Sequence, residues 1–331
     1  MTAAASTCKA IRVHEHGGPE ALRWEDVAID APKSGEVRIR HTAIGLNFID
    51  VYFRSGLYPP PALPFTPGLE AAGVIESVGK DVDGLRIGDR VAYASEPLGA
   101  YAQVRNLPAA RAVRLPDWLD DRQAAAMMLK GMTAEYLLCR TRPVRAGDTI
   151  LVHAAAGGVG LILCQWAAHL GATVIGTVGT DEKAAIAREN GCHHPLVYTR
   201  EDVVQRVREI TDGKGVAVVY DSVGRDTFEI SLDCLRPRGM LVSFGQSSGR
   251  IPPFDIGLLS RKGSLFLTRP TLLDYNRERE DLVRSVHALF EVVKSGAVHI
   301  RIGREYPLAE ASQAHRDAEA RLTTGSTLLL P

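Results

Sequence analysis

The sequence has few of the features that mark a disulfide-bonded, metal-binding or membrane-spanning protein. Its cysteines, Cys8, Cys139, Cys164, Cys192 and Cys234, are scattered and form no CxxC pair. This spacing argues against a disulfide scaffold and against a cysteine-rich zinc site, and it fits a reducing compartment. No apolar run approaches the length of about 18 residues that a spanning helix needs, so no membrane segment is predicted.

An excess of charge is also missing. The chain has 39 basic and 39 acidic residues, so its formal net charge is zero. That balance does not support a protein that acts on nucleic acid or on an anionic membrane. Met1–Val13 lacks the apolar core of a signal peptide. We therefore expect a soluble cytoplasmic protein, and its 331 residues suffice for about two domains.

The first third of the chain consists of short strand-like runs separated by glycine and proline. Apolar and polar residues alternate in these runs, which is typical of half-buried strands. The predicted strands are Glu36–Gly45, Ala72–Val78, Arg90–Ala94 and Ala100–Val104. A helix is predicted next, over Arg122–Arg140.

From Thr149 onwards, strand and helix patterns alternate strictly. The predicted strands are Thr149–His153, Thr173–Thr177, Leu196–Tyr198, Val216–Asp221, Met240–Phe244 and Ser264–Thr268. The helices are Val159–Leu170, Asp181–Asn190, Glu201–Thr211 and Arg225–Leu235. Such alternation predicts an α/β fold with a doubly wound parallel sheet. Helix Asp281–Ser295, a strand-like run at His299–Ile302 and helix Ala309–Arg321 follow.

A glycine-rich turn, Ala154–Gly160, joins the first of these strands to its helix. Glycines let the backbone turn tightly and approach a pyrophosphate, and the free N–H groups at the helix start hold the anion. The alternative is a plain strand-to-helix turn. The α/β units that follow at the expected spacing favour a dinucleotide site.

The end of the second strand indicates which dinucleotide binds. An NAD site usually has a carboxylate there, about 20 residues after the glycines, for the ribose 2′-hydroxyl. Here Gly176–Thr180 has none, and Lys183 follows one helical turn later. We predict NADPH, with Tyr198 as a further 2′-phosphate contact. The alternative is that Lys183 is a solvated charge and Tyr198 a core residue.

Zinc-dependent alcohol chemistry is not expected. Alcohol oxidation needs a Lewis acid or a base for the alkoxide, and the histidines are scattered. His153 lies in a buried strand pattern, which predicts a core histidine, and His193 and His194 fall in an exposed turn. No metal site is predicted.

The chain resembles the zeta-crystallin-like NADPH:quinone oxidoreductases, in the zinc-free branch of the medium-chain dehydrogenase/reductase superfamily. The stretches that carry the resemblance are Gly45–Asp50, Arg54–Pro59, Pro67–Gly73, Gly88–Val91, His153–Gly160, Tyr220–Gly224 and Val242–Gly245. They extend over nearly the whole chain. Zinc enzymes of the superfamily have histidine where this chain has Leu69 and a cysteine near Asn47, so these departures agree with the prediction of no metal.

The resemblance implies a mostly β GroES-like domain, residues 1–130 and 270–331, and a Rossmann NADP(H)-binding domain, residues 131–269, with the nicotinamide in the cleft between them. It also implies a homodimer joined through Rossmann edge strands such as Ser264–Thr268.

The resemblance further implies a set of cofactor contacts. Asn47 and Tyr52 would line the nicotinamide ribose and ring, and Lys130, Thr133 and Tyr136 would contact the cofactor from the domain junction. Gly158 and Val159 would meet the pyrophosphate, and Gly179, Thr180, Lys183 and Tyr198 the adenosine ribose and 2′-phosphate. Ser222 and Val223 would flank the adenine, and Phe244, Gly245, Gln246 and Ser247 the nicotinamide half. Arg321 is either a second cation for the 2′-phosphate or a solvated charge.

The implied reaction is NADPH-dependent reduction of a quinone by hydride or electron transfer. Quinone reduction restores an aromatic ring, so the site needs positioning more than strong acid–base groups. Tyr52 and Tyr58 are the candidate catalytic side chains. One alternative is an enoyl or alkenal double-bond reductase in which Tyr58 donates a proton. An alternative of another class is an NADPH-binding structural or RNA-binding protein, against which the neutral charge weighs.

Overall fold

The computed structural model describes residues 6–331, and the chain divides into two compact units. The first unit comprises the chain up to Leu129 together with Ile300–Pro331, and the second comprises Lys130–His299. Residues 1–5, part of the stretch considered above for a signal peptide, lie outside the described residues. Within residues 6–331, none of the helices has the length and apolar character needed to cross a bilayer.

Strands and helices are numbered in chain order. The strands are β1 Ser6–Arg12, β2 Arg23–Ile29, β3 Glu36–Leu46, β4 Glu70–Val78, β5 Arg90–Ala94, β6 Val104–Pro108, β7 Val113–Arg114, β8 Thr149–Val152, β9 Thr173–Val178, β10 His194–Val197, β11 Val216–Asp221, β12 Leu235–Ser243, β13 Phe266–Thr268, β14 Ile302–Pro307 and β15 Ser326–Leu330. The helices are α1 Phe48–Arg54, α2 Asp121–Glu135, α3 Gly158–His169, α4 Asp181–Glu189, α5 Val203–Ile210, α6 Phe228–Cys234, α7 Gly257–Arg261, α8 Leu272–Tyr275, α9 Arg279–Lys294 and α10 Ala311–Glu319. A π-helical stretch, Tyr136–Thr141, continues α2.

The first unit is mostly antiparallel β structure. Its main sheet has the strand order β14-β15-β3-β4-β5-β7, with β6 also paired to β3, and β1 and β2 form a separate ladder. The long strand β3 is the centre of this sheet, because it pairs with β4, β6 and β15. Side chains such as Ile39, Ile75, Tyr93 and Tyr101 fill the core beneath it, and this packing fixes the loops and α1 at the ends of the strands.

The second unit is built on a parallel sheet with the order β10-β9-β8-β11-β12-β13. The chain passes outwards from β8 to β10, then returns to β11 and passes outwards on the other side to β13. The strand order therefore reverses between β8 and β11, and ligands of such sheets bind outside the carboxyl ends of the strands at this reversal. The predicted doubly wound parallel sheet is confirmed.

Two local strand predictions are wrong. Ala100–Val104 is not a strand, because Gly99 and Ala100 both donate to Gly68 O and force a turn, and β6 begins only at Val104. The strand-like run His299–Ile302 is a strand only at its end, because β14 begins at Ile302, and the His299 N–H instead donates to the Gln165 side chain over 2.8 Å.

The return to the first unit also comes later than residue 270, at Ile300. Helix α9 accounts for the difference. Its Ser285 donates to Glu135 of α2 over 2.8 Å, and its Leu289 side chain lies against Gly131. Residues 270–299 therefore pack with the second unit.

Candidate functional site

The glycine-rich turn lies where β8 ends and α3 begins, beside the strand reversal. Ala154 adopts a left-handed conformation with φ of +53°, Gly157 is the N-cap of α3, and Gly158 is its first residue. A Cβ on Gly160 would lie 2.3 Å from Ala154 O, so a side chain does not fit there. Because the first N–H groups of a helix lack partners within it, this turn presents donors and a positive dipole end to an anion.

A second group of predicted residues meets at the end of β9. Thr180 is the N-cap of α4 and accepts from the Lys183 N–H over 3.3 Å. A Cβ on Gly179 would lie 3.0 Å from the Tyr198 hydroxyl, so that hydroxyl lies close to the end of the strand. Tyr198 is exposed and Lys183 half-buried. The structure brings these residues together in an open corner.

The loops after β11 and β12 lie against each other. Phe244 N donates to Asp221 O over 2.8 Å, and Ser247 N donates to Ser222 O over 3.2 Å. A Cβ on Gly245 would lie 2.5 Å from Ser222 O, so glycine permits this close approach. The structure thus joins Ser222 and Val223 with Phe244–Ser247 at the same edge of the sheet as the glycine-rich turn.

Asp221, at the end of β11, is a residue that the sequence analysis missed. Its fully buried carboxylate accepts from the N–H groups of Val223 and Gly224, at 2.7 and 3.1 Å. It also accepts from the hydroxyls of Thr227 and Ser231 at 2.7 and 3.0 Å. These bonds fix the turn at Ser222 and Val223. The one local signal that could have identified Asp221 is a carboxylate at the end of an apolar strand.

His153 is a core histidine, as predicted. Its ring nitrogens lie 2.9 Å from Thr177 Oγ1 and 3.1 Å from Ser231 Oγ. Burial lowers its pKa, so the neutral ring is favoured. Because the Ser231 hydroxyl donates to Asp221, His153 connects β8 and β9 to the turn after β11.

Arg269, after β13, is the second residue that was missed. Its Nη1 donates to Gly245 O over 2.7 Å and to Ser243 O over 3.0 Å. A guanidinium that binds two carbonyl oxygens of one loop fixes the path of that loop. Nothing in the local sequence distinguishes Arg269 from a surface arginine, because its partners lie more than 20 residues away.

Lys130 and Thr133 lie on α2, and Tyr136 begins its π-helical continuation. They are spaced three residues apart, and all three are buried. The Tyr136 ring stacks on Tyr275, with centroids 4.4 Å apart and planes at 19°. Burial raises the pKa of the Tyr136 hydroxyl, which therefore stays protonated.

Asn47, Tyr52, Tyr58 and Arg321 belong to the first unit. Asn47 is the buried N-cap of α1, and its amide donates to Glu70 Oε2 over 2.8 Å and to Gly45 O over 3.3 Å. Glu70, fully buried, also accepts from Leu129 N over 2.7 Å. This carboxylate in an apolar strand was not predicted, and it sets the orientation of the Asn47 amide.

The two candidate catalytic tyrosines lie together. The ring of Tyr52 in α1 contacts Phe48 and Tyr58 edge to face, with centroids 5.5 and 5.1 Å apart. Tyr52 is buried and Tyr58 half-buried. Arg321 is exposed and has a left-handed backbone, with φ of +59°.

No group of three or more His, Cys, Asp or Glu side chains within residues 6–331 is placed to hold a metal ion. The cysteines at positions 8, 139, 164, 192 and 234 are free thiols, and Cys139 is exposed whereas the other four are buried.

Two family matches cover most of the chain. Residues 33–146 match the alcohol dehydrogenase GroES-like domain. Residues 158–290 match the family described as zinc-binding dehydrogenase. The order of the matches agrees with a β-rich first unit and a parallel-sheet second unit.

Several characterised proteins are similar to the chain over nearly their full length. A quinone oxidoreductase of Pseudomonas aeruginosa is 53% identical over 98% of this chain and 99% of its own. The solved structure of the Escherichia coli quinone oxidoreductase complexed with NADPH is 49% identical, with a TM-score of 0.96, over 98% of this chain and 100% of that one. A 2-haloacrylate reductase of a Burkholderia species is 48% identical over 96% of this chain and 98% of its own.

Proposed function

The chain belongs to the quinone oxidoreductase family of the zinc-free medium-chain dehydrogenases and reductases, and on this basis we propose that it reduces quinones with NADPH. The observation that carries the proposal is the glycine-lined start of α3 at the strand reversal, where only glycine fits at position 160. That turn offers backbone N–H groups to a pyrophosphate without a side chain in the way.

We assign the cofactor contacts to the residues named from the sequence. The pyrophosphate is held by Gly158 and Val159, and the adenosine end by Gly179, Thr180, Lys183, Tyr198, Ser222 and Val223, with Arg321 as a further candidate. The nicotinamide half is held by Asn47, Tyr52, Lys130, Thr133, Tyr136, Phe244, Gly245, Gln246 and Ser247. Bound NADPH supplies a hydride equivalent.

The chain's own contribution is positioning. The edge-to-face contacts among Phe48, Tyr52 and Tyr58 provide an aromatic surface suited to a flat quinone. Glu70 fixes the Asn47 amide by accepting one of its N–H groups, and that amide meets the nicotinamide ribose. Such fixed geometry lowers the barrier by orienting the reactants, without a strong acid or base.

The experiment is an NADPH-oxidation assay with benzoquinone, naphthoquinone and alkenal acceptors. We expect quinone-dependent oxidation that exceeds the rate with alkenals. Oxidation confined to alkenals would contradict the proposal and favour the second candidate, a double-bond reductase, which the similarity to a 2-haloacrylate reductase supports.

Tyr58→Phe separates the two candidates. Quinone reduction needs no proton from this hydroxyl, so kcat/KM for naphthoquinone should stay within about twofold. In a double-bond reductase the same substitution would remove the general acid, and kcat/KM for an alkenal would typically fall 10²-fold or more. A large loss with naphthoquinone would overturn the positioning mechanism.

We also propose a homodimer joined through the edge strand β13, where Phe266 is 56% exposed. An open sheet edge with an exposed aromatic is suited to pairing with a second copy. A cytoplasmic location is proposed as well, since the buried thiols of Cys164, Cys192 and Cys234 are unpaired.

A further inference from the structure

The first turn of α4 has two carboxylates at the corner assigned to the adenosine ribose. Asp181 and Glu182 follow the N-cap Thr180 directly and are exposed, and Lys183 comes next. A carboxylate at the end of the second strand of such a sheet normally binds the 2′-hydroxyl of NADH and repels a 2′-phosphate. Asp181 is therefore the residue of this corner that opposes NADPH.

Arg200, which the sequence analysis did not single out, engages that carboxylate. Its Nη1 and Nη2 donate to Oδ2 and Oδ1 of Asp181, each over 2.5 Å. This bidentate geometry makes arginine the preferred partner of carboxylates and phosphates. The pairing lowers the pKa of Asp181 and raises that of Arg200, so both groups remain charged.

Backbone contacts bring Arg200 to this place. Tyr198 N donates to Val178 O over 3.1 Å, and Thr199 Oγ1 donates to Gly179 O over 3.3 Å. The turn after β10 is thereby attached to the end of β9. Tyr198, a predicted 2′-phosphate contact, and Arg200 lie two residues apart in this turn, so a phosphate within reach of one is near the other.

Counted over the residues of the second unit alone, the charges of the corner require a second cation. Asp181 and Glu182 contribute two negative charges, and Lys183 supplies one positive charge. Glu201 is directed elsewhere, because its Oε1 accepts from Val197 N over 2.7 Å and its Oε2 lies 3.5 Å from Arg206 Nε. Without Arg200, a dianionic phosphate would enter a corner that is already negative.

We propose that Arg200 is a cofactor-selecting residue, which neutralises Asp181 in the free protein and donates to the 2′-phosphate of bound NADPH. This assignment rests on the proposed function. Both members of the pair are largely exposed, at 56% and 66%. Exposed pairs contribute little to folding, so the effect of removing Arg200 should appear in binding rather than in stability.

The test measures Kd for NADPH and for NADH by fluorescence titration of the purified protein. Arg200→Gln should weaken NADPH binding by about tenfold or more, since it removes a charge-assisted hydrogen bond and exposes the Asp181 carboxylate to the phosphate. Kd for NADH should stay within about twofold, because NADH lacks the 2′-phosphate. The double variant Asp181→Asn with Arg200→Gln should recover part of the NADPH affinity.

Arg261→Gln is the matched control. Arg261 pairs with Asp255 over 3.0 Å, and the two side chains are 63% and 65% exposed, so its loss should leave both Kd values unchanged. An Arg200→Gln protein that binds NADPH as the wild type does, or that loses NADPH and NADH equally, overturns the assignment alone. A wild-type protein that binds no NADPH would instead overturn the proposed function.

Discussion

The backbone geometry at position 160 allows no residue other than glycine. A Cβ there would lie 2.3 Å from Ala154 O and 2.9 Å from two backbone atoms of Ala155. Because these are backbone atoms, the turn itself would have to move to remove the steric clash. At Gly157 the nearest atom is also Ala154 O, but at 3.2 Å. Neighbouring glycines of one motif therefore differ sharply in their tolerance of a methyl group.

Gly160→Ala should raise the Kd for NADPH at least about tenfold, because the turn must shift away from the pyrophosphate. Gly157→Ala should change it by less than about threefold. Fluorescence titration measures both, with circular dichroism as the check on folding. Equal tolerance of the two substitutions would contradict the geometry of the turn.

The sequence predicted the glycine motif and the neutral end of β9, because both are local patterns of residue type. It did not predict the roles of Glu70, Asp221 or Arg269. Each of these acts through side-chain contacts, and the partners of Glu70 and Arg269 lie more than 20 positions away in the chain. A local pattern carries no information about which distant group such a side chain will meet.

Among the elements, β3 and α10 each bury a neutral histidine in the first unit. In β3, His41 Nδ1 donates to Ala102 O over 2.7 Å, and Nε2 accepts from the Tyr93 hydroxyl over 2.9 Å. In α10, His315 Nδ1 accepts from Arg54 over 3.2 Å. Burial lowers the pKa of each ring to about 3.

Because of these buried histidines, we expect the protein to lose stability in mild acid. Unfolding restores a pKa of about 6.5, so below that pH the unfolded chain binds protons that the folded chain excludes until about pH 3. The free energy of unfolding should fall by about 1.4 kcal/mol per histidine for each pH unit in this window. Urea unfolding between pH 7 and pH 5 measures it.

His41→Gln should make this pH dependence shallower, although it lowers stability at pH 7. His169→Gln, which changes an exposed histidine, is the control and should leave the dependence unchanged. If His41→Gln and His315→Gln both retained the full dependence, the buried rings would not be its source.

The sequence predicted the parallel sheet more fully than the β-rich unit. Buried parallel strands are apolar runs between amphipathic helices, which are visible without knowledge of their partners. By contrast, β1, β2 and the short helix α1 were not predicted, since their pairing and capping depend on distant residues. The Ala100–Val104 run has a strand-like composition, but its backbone is held by Pro67 and Gly68.

At the scale of the whole molecule, the chain crosses from one unit to the other twice, at Leu129 and at His299. The predicted two-domain organisation with a returning C-terminal segment agrees with this division, except for the position of the return. The second unit has β13 at one edge of its sheet, and the proposed homodimer depends on this edge.

Phe266→Glu should convert the dimer into a monomer, because it places a charge on each of two edges that would meet. Light scattering after gel filtration measures the mass. Ile87→Glu, at an exposed apolar residue of the first unit, should leave the dimer intact. A wild-type monomer, or a Phe266→Glu dimer, would contradict the proposed interface.

We propose that this chain is a quinone reductase that selects NADPH over NADH. The ratio of kcat/KM for NADPH to that for NADH, measured with naphthoquinone as the fixed acceptor, tests it most directly. We expect a ratio of about ten or more, since the corner formed by Thr180, Lys183, Tyr198 and Arg200 is assigned to a 2′-phosphate. A ratio near one, or no quinone-dependent oxidation of NADPH, would contradict it.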